Sequence, residues 1–127
     1  MFVSNTCKPT HYGAYKSTTK GKTFVCCEFS NSQDGAPGLT NLQIKGRMPD
    51  NNFIYNAKTP YLCIVTKGSG DILYFYDNKV ESYHIEQGNN IYIPPNTVYA
   101  FKGEDLELSL VGTPQWTLAT SRVVEID

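Results

Sequence analysis

The chain has 127 residues, of which 40% are hydrophobic and 18% charged, and these proportions predict one folded domain rather than a disordered segment. Its 11 Lys and Arg residues against 12 Asp and Glu residues give a formal net charge of −1, whereas nucleic-acid-binding domains carry a basic excess. No run of about 18 apolar residues predicts a membrane helix, and residues 1–9 lack the pattern of a signal peptide. We therefore expect a cytoplasmic protein with neither a nucleic-acid nor a membrane partner.

The strand candidates follow one another closely along the chain. Residues 1–20 form a polar N-terminal arm, and residues 34–38 read as a loop. Short segments rich in β-branched and aromatic residues are bounded by Gly, Pro, Asn and Asp, and no long window has a helical period. The predicted strands are 22–29, 40–45, 53–56, 61–66, 72–76, 80–85, 90–93, 97–102 and 106–111, and residues 120–126 form either a last strand or a tail. Turns every eight to twelve residues predict an all-β sandwich or barrel with little or no helix.

The four cysteines, Cys7, Cys26, Cys27 and Cys63, are expected to be reduced thiols. No two of them have the two-residue gap of a zinc knuckle, and the chain has only two histidines to supplement them. Cys26 and Cys27 are adjacent in a predicted strand, so their side chains should point to opposite faces. This spacing disfavours both a shared metal and a mutual disulfide.

Two sequence fragments carry a resemblance to a known family. The first is Ile64-Val65-Thr66-Lys67-Gly68, which is followed by Ser69-Gly70 and a predicted hairpin. The second runs from Gly88 through Pro94, Pro95 and Asn96 to Tyr99, with Gly88 and Asn96 at turns and the prolines at a strand end. In order and separation these fragments are similar to the two motifs of the cupin family, which comprises RmlC-like jelly-roll barrels.

The resemblance implies a single antiparallel jelly-roll β-barrel. Residues 1–127 would form one domain, with a barrel core over 40–116 and motif fragments at 61–70 and 88–101. Cupin-like chains commonly pair through sheet edges, so the resemblance also implies a homodimer. We expect the arm over residues 2–15 to pack across the second copy.

The metal-ligand positions of the family are substituted in this chain. In cupins these positions hold His and Glu side chains. Aligned on the motif glycines, they fall here on Tyr61, on Tyr99, and on either Ile54 and Asn56 or Tyr55 and Ala57. A neutral phenol is a poor substitute for imidazole or carboxylate. We therefore expect no metal and no cofactor.

If the resemblance holds, Tyr61 and Tyr99 point into the barrel. Period-two alternation then places Cys63, Val65 and Phe101 in the same interior, and Tyr55 is a neighbour in one of the two spacings. Such an aromatic, uncharged pocket would suit a sugar or an aromatic ring. The alternative interpretation is that these side chains simply fill a small barrel.

Other residues are candidates for ligand binding. Gln43, Lys45 and Arg47 share one face of a strand if that strand continues past Gly46, and this face could enter the barrel and bind a phosphate or carboxylate. An exposed face is the alternative. In the resemblance, Trp116 either caps the barrel or plugs its core.

Catalytic candidates are few. Metal-independent sugar isomerases of related fold use a His base, an acidic partner and a Tyr acid. Here His84 or His11 could serve as the base only if the fold brings it to the pocket mouth. Tyr99 is the candidate acid, and Asp71 and Glu107 are the candidate carboxylates.

Three functions therefore stay open. The first is a cupin-like protein that binds a small polar or carbohydrate-like ligand in a metal-free aromatic pocket. The second is a metal-independent sugar or nucleotide-sugar isomerase or epimerase. The third is a ligand-sensing domain that acts with a partner in trans. A histidine at the pocket with a carboxylate behind it would favour the second.

Overall fold

The structure, a computed structural model, describes residues 23–29, 38–49, 52–113 and 121–124, with side chains described for 39–49, 52–113 and 124. The described ranges are strands and turns without helix, so none of them holds a helix that could span a membrane. The predicted arm over residues 1–20, the candidates His11 and Trp116, and all of the predicted loop over 34–38 except Gly38, which begins a strand, lie outside the described residues.

The strands match the sequence prediction in number and order at all but one place. In chain order they are β1 (Thr23–Phe29), β2 (Gly38–Met48), β3 (Phe53–Asn56), β4 (Tyr61–Lys67), β5 (Ser69–Tyr76), β6 (Lys79–Glu86), β7 (Asn90–Ile93), β8 (Val98–Gly112) and β9 (Ser121–Val124). Every pairing among them is antiparallel. The all-β prediction is confirmed.

The long strand β8 organises the sheet. It pairs with β2 over most of its length, with β3 and β5 near its start, and with β4 along its second half. β1 extends the sheet beyond β2, β6 beyond β5, and β7 beyond β4. The result is a curled half-barrel that fits the predicted jelly roll.

The division of β8 into two strands, over 97–102 and 106–111, was wrong. The strand runs through Gly103 with one extra residue, since Ile44 lies opposite Leu106 and Gly46 lies opposite Gly103. Such a bulge changes which residues face inward. The core cluster accordingly takes Tyr99 and Phe101 before the bulge and Leu106, Leu108 and Leu110 after it, while the small side chain of Ala100 is buried as well.

The inward faces of the strands form one hydrophobic core. Its most buried members are each at most 1% exposed: Ile44, Val65, Ile85, Phe101, Leu106 and Leu108. Ile72, Ile85 and Ile93 of the later strands belong to the same cluster, and Tyr74 and Ile91 pack against it while partly exposed. The core therefore continues from β2 and β8 to the hairpin β5–β6 and to β7.

The turns behave as their residues predict. β7 ends at Ile93, directly before the two prolines, and Asn96 has a left-handed φ of 66°. Gly88 has a φ of 92°. Gly68 has a φ of 75°, and a Cβ there would overlap the Asp105 backbone carbonyl, so only glycine fits where β5 begins.

Candidate functional site

A groove of about 830 Å³ runs along the hairpin β5–β6, strand β7 and the turn that follows it. We call it the hairpin groove. Its lining consists of residues 72, 74–76, 83–86, 89–94, 96 and 97. This volume is within the range of small-molecule sites.

The floor of the hairpin groove is apolar and its walls are aromatic and polar. Ile72, Ile85 and Ile93 in the lining belong to the hydrophobic core. Among the lining residues, Tyr83 is 66% exposed and lies directly across the hairpin from Ile72, so the two share one face. A floor of this kind beneath exposed phenol rings suits a flat ligand with polar edges.

The polar part of the lining is almost uncharged. It carries the side chains of Asn89, Asn90, Asn96 and Thr97, together with the tyrosines. Glu86 is its single carboxylate, and the described residues place no Lys or Arg in the lining. Hydroxyl and amide groups recognise neutral hydrogen-bonding ligands, whereas phosphate binding relies on Arg or Lys.

Backbone and side-chain hydrogen bonds fix one end of the groove. The Asn96 amide donates to the Asn56 carbonyl oxygen at 2.8 Å, and the Tyr55 hydroxyl donates to Asn96 Oδ1 at 2.6 Å. The Thr97 hydroxyl closes the turn by donating to the Pro94 carbonyl oxygen at 2.8 Å. The turn after β7 is thereby held against β3.

A second set of bonds fixes the turn between β6 and β7. The Gln87 amide donates to the Gly68 carbonyl oxygen at 3.0 Å, and the Gly88 amide donates to the Val65 carbonyl oxygen at 2.9 Å. Asn89 accepts the Glu86 amide on its Oδ1 at 2.8 Å. The turn between the two strands that border the groove is therefore anchored to β4 and to the turn at Gly68.

One histidine of the lining has a carboxylate partner. His84 Nδ1 lies 3.2 Å from Asp71 Oδ1, and the two residues are directly paired across the hairpin. Both side chains are substantially exposed, and alternation puts them on the hairpin face opposite to Ile72 and Ile85. A histidine oriented in this way keeps its Nε2 for another partner.

The residues predicted from the cupin resemblance lie one strand away from the groove. Tyr61 is opposite Ile93, Cys63 opposite Ile91, Phe101 opposite Ile72, and Tyr99 opposite Tyr74. The first residue of each pair is in the hydrophobic core and at most 7% exposed, and the second lines the groove. Tyr55, the remaining member of this predicted set, bonds to the groove residue Asn96.

The buried members of this set pack against apolar neighbours. The Tyr99 and Phe101 rings meet edge to face, with centroids 5.7 Å apart. Burial raises the pKa of the Cys63 thiol from 9.0 to about 12, so the thiol stays protonated at neutral pH. A protonated, buried thiol is a poor nucleophile.

The predicted polar face of β2 lies outside the barrel. Gln43 and Lys45 are exposed on the face opposite Leu42 and Ile44, which are in the core. Arg47 is half-buried beyond the bulge, where its Nη2 donates to the Asn52 carbonyl oxygen at 2.9 Å and its guanidinium lies 4.9 Å from the centre of the Phe53 ring. These contacts direct Arg47 toward β3 and the chain before it.

Within the ranges that the structure describes, no three His, Cys, Asp or Glu side chains come together as a metal-binding group. The alternative ligand positions on β3 hold Ile54, which is in the core, and Asn56. Asn56 Oδ1 accepts the amides of Lys58 and Thr59 at 3.1 and 2.9 Å, so its side chain shapes the turn after β3.

The fold is that of cupin proteins, to which the similar solved structures belong. Pac13 from Streptomyces, a nucleoside dehydratase, was solved as a variant with uridine; it is 17% identical, with 81% of this chain and 79% of that chain covered and a TM-score of 0.68. CapF is 14% identical, and the match covers 80% of this chain and 32% of the CapF chain, with a TM-score of 0.65. Oxalate decarboxylase from Bacillus subtilis is 13% identical, and the match covers 95% of this chain and 32% of the decarboxylase chain, with a TM-score of 0.65.

Comparison at the level of sequence gives no further assignment. No family model matches the chain, and no curated protein matches it.

Sequence reasoning missed the tyrosines that line the groove, although a local signal for them exists. Asp77 and Asn78 both have positive φ, of 52° and 63°, as a two-residue hairpin turn of the primed type requires. That turn sets the pairing of Ile72 with Tyr83 and of Asp71 with His84. Predicting a two-residue turn at Asp77 and Asn78 from the sequence would therefore have placed Tyr83 on the same face as the apolar floor of the groove.

Proposed function

We propose that this protein binds a small, uncharged, carbohydrate-like ligand with a flat ring, of the nucleoside class, in the hairpin groove. The observation that carries the proposal is the groove itself, in which exposed tyrosines stand over an isoleucine floor and uncharged amides line the rim. Tyrosine rings stack on flat rings, and amides and hydroxyls bind hydroxyl groups.

Two further observations support this choice of ligand. The described lining has no Lys or Arg, which favours a nucleoside or free sugar over a phosphorylated one. Streptomyces Pac13, which shares the fold, was solved with uridine. Binding in our proposal needs no metal, because amide, phenol and apolar groups make all the contacts.

Titration with uridine, with ribose as the second probe, tests the proposal. Wild-type protein should bind uridine more tightly than ribose, since ribose lacks the ring that stacks. Tyr83→Ala should weaken uridine binding about five- to hundredfold, the range for losing a stacked aromatic ring. The control is Val80→Ala, an exposed position of the same hairpin outside the groove lining, which should leave affinity unchanged.

Two results would overturn the proposal. One is wild-type protein that binds neither probe. The other is a Tyr83→Ala protein that binds uridine as tightly as the wild type does.

A second candidate function rests on the His84–Asp71 pair. With Nδ1 held by Asp71, the Nε2 of His84 could take a proton from the carbon next to a sugar carbonyl and return it to the carbonyl carbon on the same face of the enediol, while the hydroxyl proton passes to the carbonyl oxygen, which is the proton balance of a sugar isomerase. This candidate ranks second because the pair lies on the exposed face of the hairpin, and because the described lining offers a nucleotide-sugar no Lys or Arg.

Proton exchange in deuterated water tests this candidate. A panel of keto sugars and nucleotide-linked keto sugars should gain deuterium at the carbon next to the carbonyl. His84→Gln should abolish the exchange, and Asp71→Asn should slow it while leaving substrate affinity unchanged. Exchange that persists in His84→Gln would remove His84 from the reaction.

A further inference from the structure

Aromatic rings are concentrated in the lining of the hairpin groove. Five of its sixteen lining residues carry a Phe or Tyr ring, whereas aromatic residues make up only 13% of the chain. Tyr83 lies across the hairpin from Ile72, and Tyr74 and Tyr76 follow Ile72 at the next two inward positions of β5. Tyr83 and Tyr76 are 66% and 68% exposed, so their rings are accessible to a ligand in the groove.

The charges near these rings suit a cation. The face of a phenol ring carries negative potential and attracts ammonium groups. Glu86 adds a carboxylate to the same lining, to which the described residues contribute no Lys or Arg. His84 lies 3.2 Å from the Asp71 carboxylate, so protonation of His84 would bring this pair only to neutrality.

The segment that forms the groove is acidic. From Ser69 to Thr97, four carboxylates stand against one lysine, which gives a formal charge of −3 with His84 neutral, whereas the whole chain has −1. That lysine, Lys79, has its Nζ 3.3 Å from Glu81 Oε1 near the tip of the hairpin. A field of this sign draws cations toward the groove and repels anions.

Glu86 is fixed at one end of the groove. It is the exposed last residue of β6, and its amide donates to Asn89 Oδ1 at 2.8 Å while its carbonyl oxygen accepts the Asn89 amide at 2.9 Å. Among the described strands β6 pairs only with β5, so side chains of both its faces can reach the groove along its other edge. Tyr83 precedes Glu86 by three residues, about 10 Å of strand. A cation between the two is within the Debye length of about 8 Å, so salt does not fully screen the carboxylate.

The lining selects an organic cation rather than a metal ion. Within the described ranges no three His, Cys, Asp or Glu side chains come together, so a bare metal ion would find too few ligands. The floor of Ile72, Ile85 and Ile93 offers apolar contact instead. Methyl or methylene groups on a nitrogen cation can pack on such a floor while the charge meets aromatic rings, as in the aromatic cages that hold quaternary ammonium groups.

We propose that the hairpin groove contains a subsite for an organic ammonium group, formed by the ring faces of Tyr74, Tyr76 and Tyr83 and by the carboxylate of Glu86. This ligand class is additional to the uncharged nucleoside proposed above, and the subsite does not require that a nucleoside binds. A ligand that carries both a flat ring and an amine would occupy both parts of the groove.

Choline and its uncharged isostere 3,3-dimethylbutan-1-ol, in which a carbon atom replaces the ammonium nitrogen, form a matched pair of probes. Because the two have nearly the same shape, a difference in their affinities reports the charge. The wild type should bind choline about three- to thirtyfold more tightly, the range that cation–π contacts contribute. NMR titrations measure both affinities, and the preference should shrink between about 20 mM and about 500 mM salt, because salt screens exposed charges.

Three variants locate the subsite. Glu86→Gln keeps the size of the side chain and removes its charge, so it should lower the preference for choline about two- to fivefold and leave the affinity for the isostere unchanged. Tyr83→Ala should also lower the preference, since it removes one ring face. The control is Glu104→Gln, at an exposed position of β8 outside the groove lining, which should leave both affinities unchanged.

Three results would overturn the proposal. One is a wild type that binds choline no more tightly than the isostere, or binds neither. A preference that survives both Glu86→Gln and Tyr83→Ala would place the cation elsewhere, and an equal loss from Glu104→Gln would assign it to net charge alone. Uridine titration keeps the two proposals apart: a choline preference without uridine binding removes only the nucleoside, and uridine binding without a choline preference removes only the ammonium subsite.

Discussion

The two ends of the half-barrel interior carry the same inward alternation of side chains, yet one end is packed and the other is open. Where β2, β8 and β4 adjoin, Ile44, Leu106, Leu108 and Val65 are at most 1% exposed. Along the hairpin and β7, Ile85 and Ile93 are buried at 1% and 3%, but the inward residues Tyr74 and Ile91 stay partly exposed, and all four line a groove.

The difference follows from strand pairing. β2, β4, β5 and β8 each have partners along both edges, whereas among the described strands β6 pairs only with β5 and β7 only with β4. Alternation thus decides which face a side chain occupies, and the neighbouring strands decide whether that face is filled. The hairpin groove lies where such neighbours are missing from the described sheet.

The largest expected effect is on the packed end. Leu108 is 1% exposed and lies between Leu42 of β2 and Val65 of β4, so Leu108→Ala should lower the free energy of unfolding by about 2–5 kcal/mol. Tyr83→Ala at the open end should change it by less than about 0.5 kcal/mol, as exposed substitutions do. Urea unfolding measures both, and similar losses from the two variants would contradict the division into a packed and an open end.

The second effect concerns Cys63 at alkaline pH. Its folded pKa of about 12 exceeds the unfolded value of 9.0, so its contribution to stability is full below pH 9.0 and is lost as the pH rises toward 12. In that window the free energy of unfolding should fall by up to about 1.4 kcal/mol per pH unit more in the wild type than in Cys63→Ala. Parallel pH profiles of the two proteins would show that the thiol is not shielded by the packed interior.

The smallest effect is expected for Tyr99→Phe, which removes one hydroxyl and keeps the ring. Tyr99 lies one strand behind the groove, so uridine affinity should change by less than about twofold, and stability should fall by no more than the roughly 1.5 kcal/mol that one hydroxyl hydrogen bond contributes. If Tyr99 instead contacts ligand, as the cupin resemblance implies, affinity should fall from a few-fold to about tenfold. A calorimetric titration of both proteins separates the two roles.

Local chemistry made much of the fold predictable. Strand segments, the stop before Pro94 and the left-handed turn at Asn96 depend on residues within a few positions, and the structure has each of them. The cupin resemblance implied that Tyr61 and Tyr99 face the interior, alternation added Cys63 and Phe101, and all four are in the core cluster.

The groove depends on long-range pairing, which local patterns do not encode. That β8 joins β2, β5 and β4 is set by contacts between residues far apart in sequence. The bulge before Leu106 reverses the inward parity within one strand, which makes a continuous strand resemble two. The candidates chosen from the motifs therefore lay on the correct face but one strand away from the groove.

The most direct test of the hairpin groove as the binding site is an amide NMR titration of the wild-type protein with uridine. The account predicts that the largest shifts fall on residues 83–86 and 89–93 of β6 and β7, with Leu106, Leu108 and their neighbours in the packed half unchanged. Shifts centred on β2 and the second half of β8 would contradict it, as would a spectrum that uridine leaves unchanged.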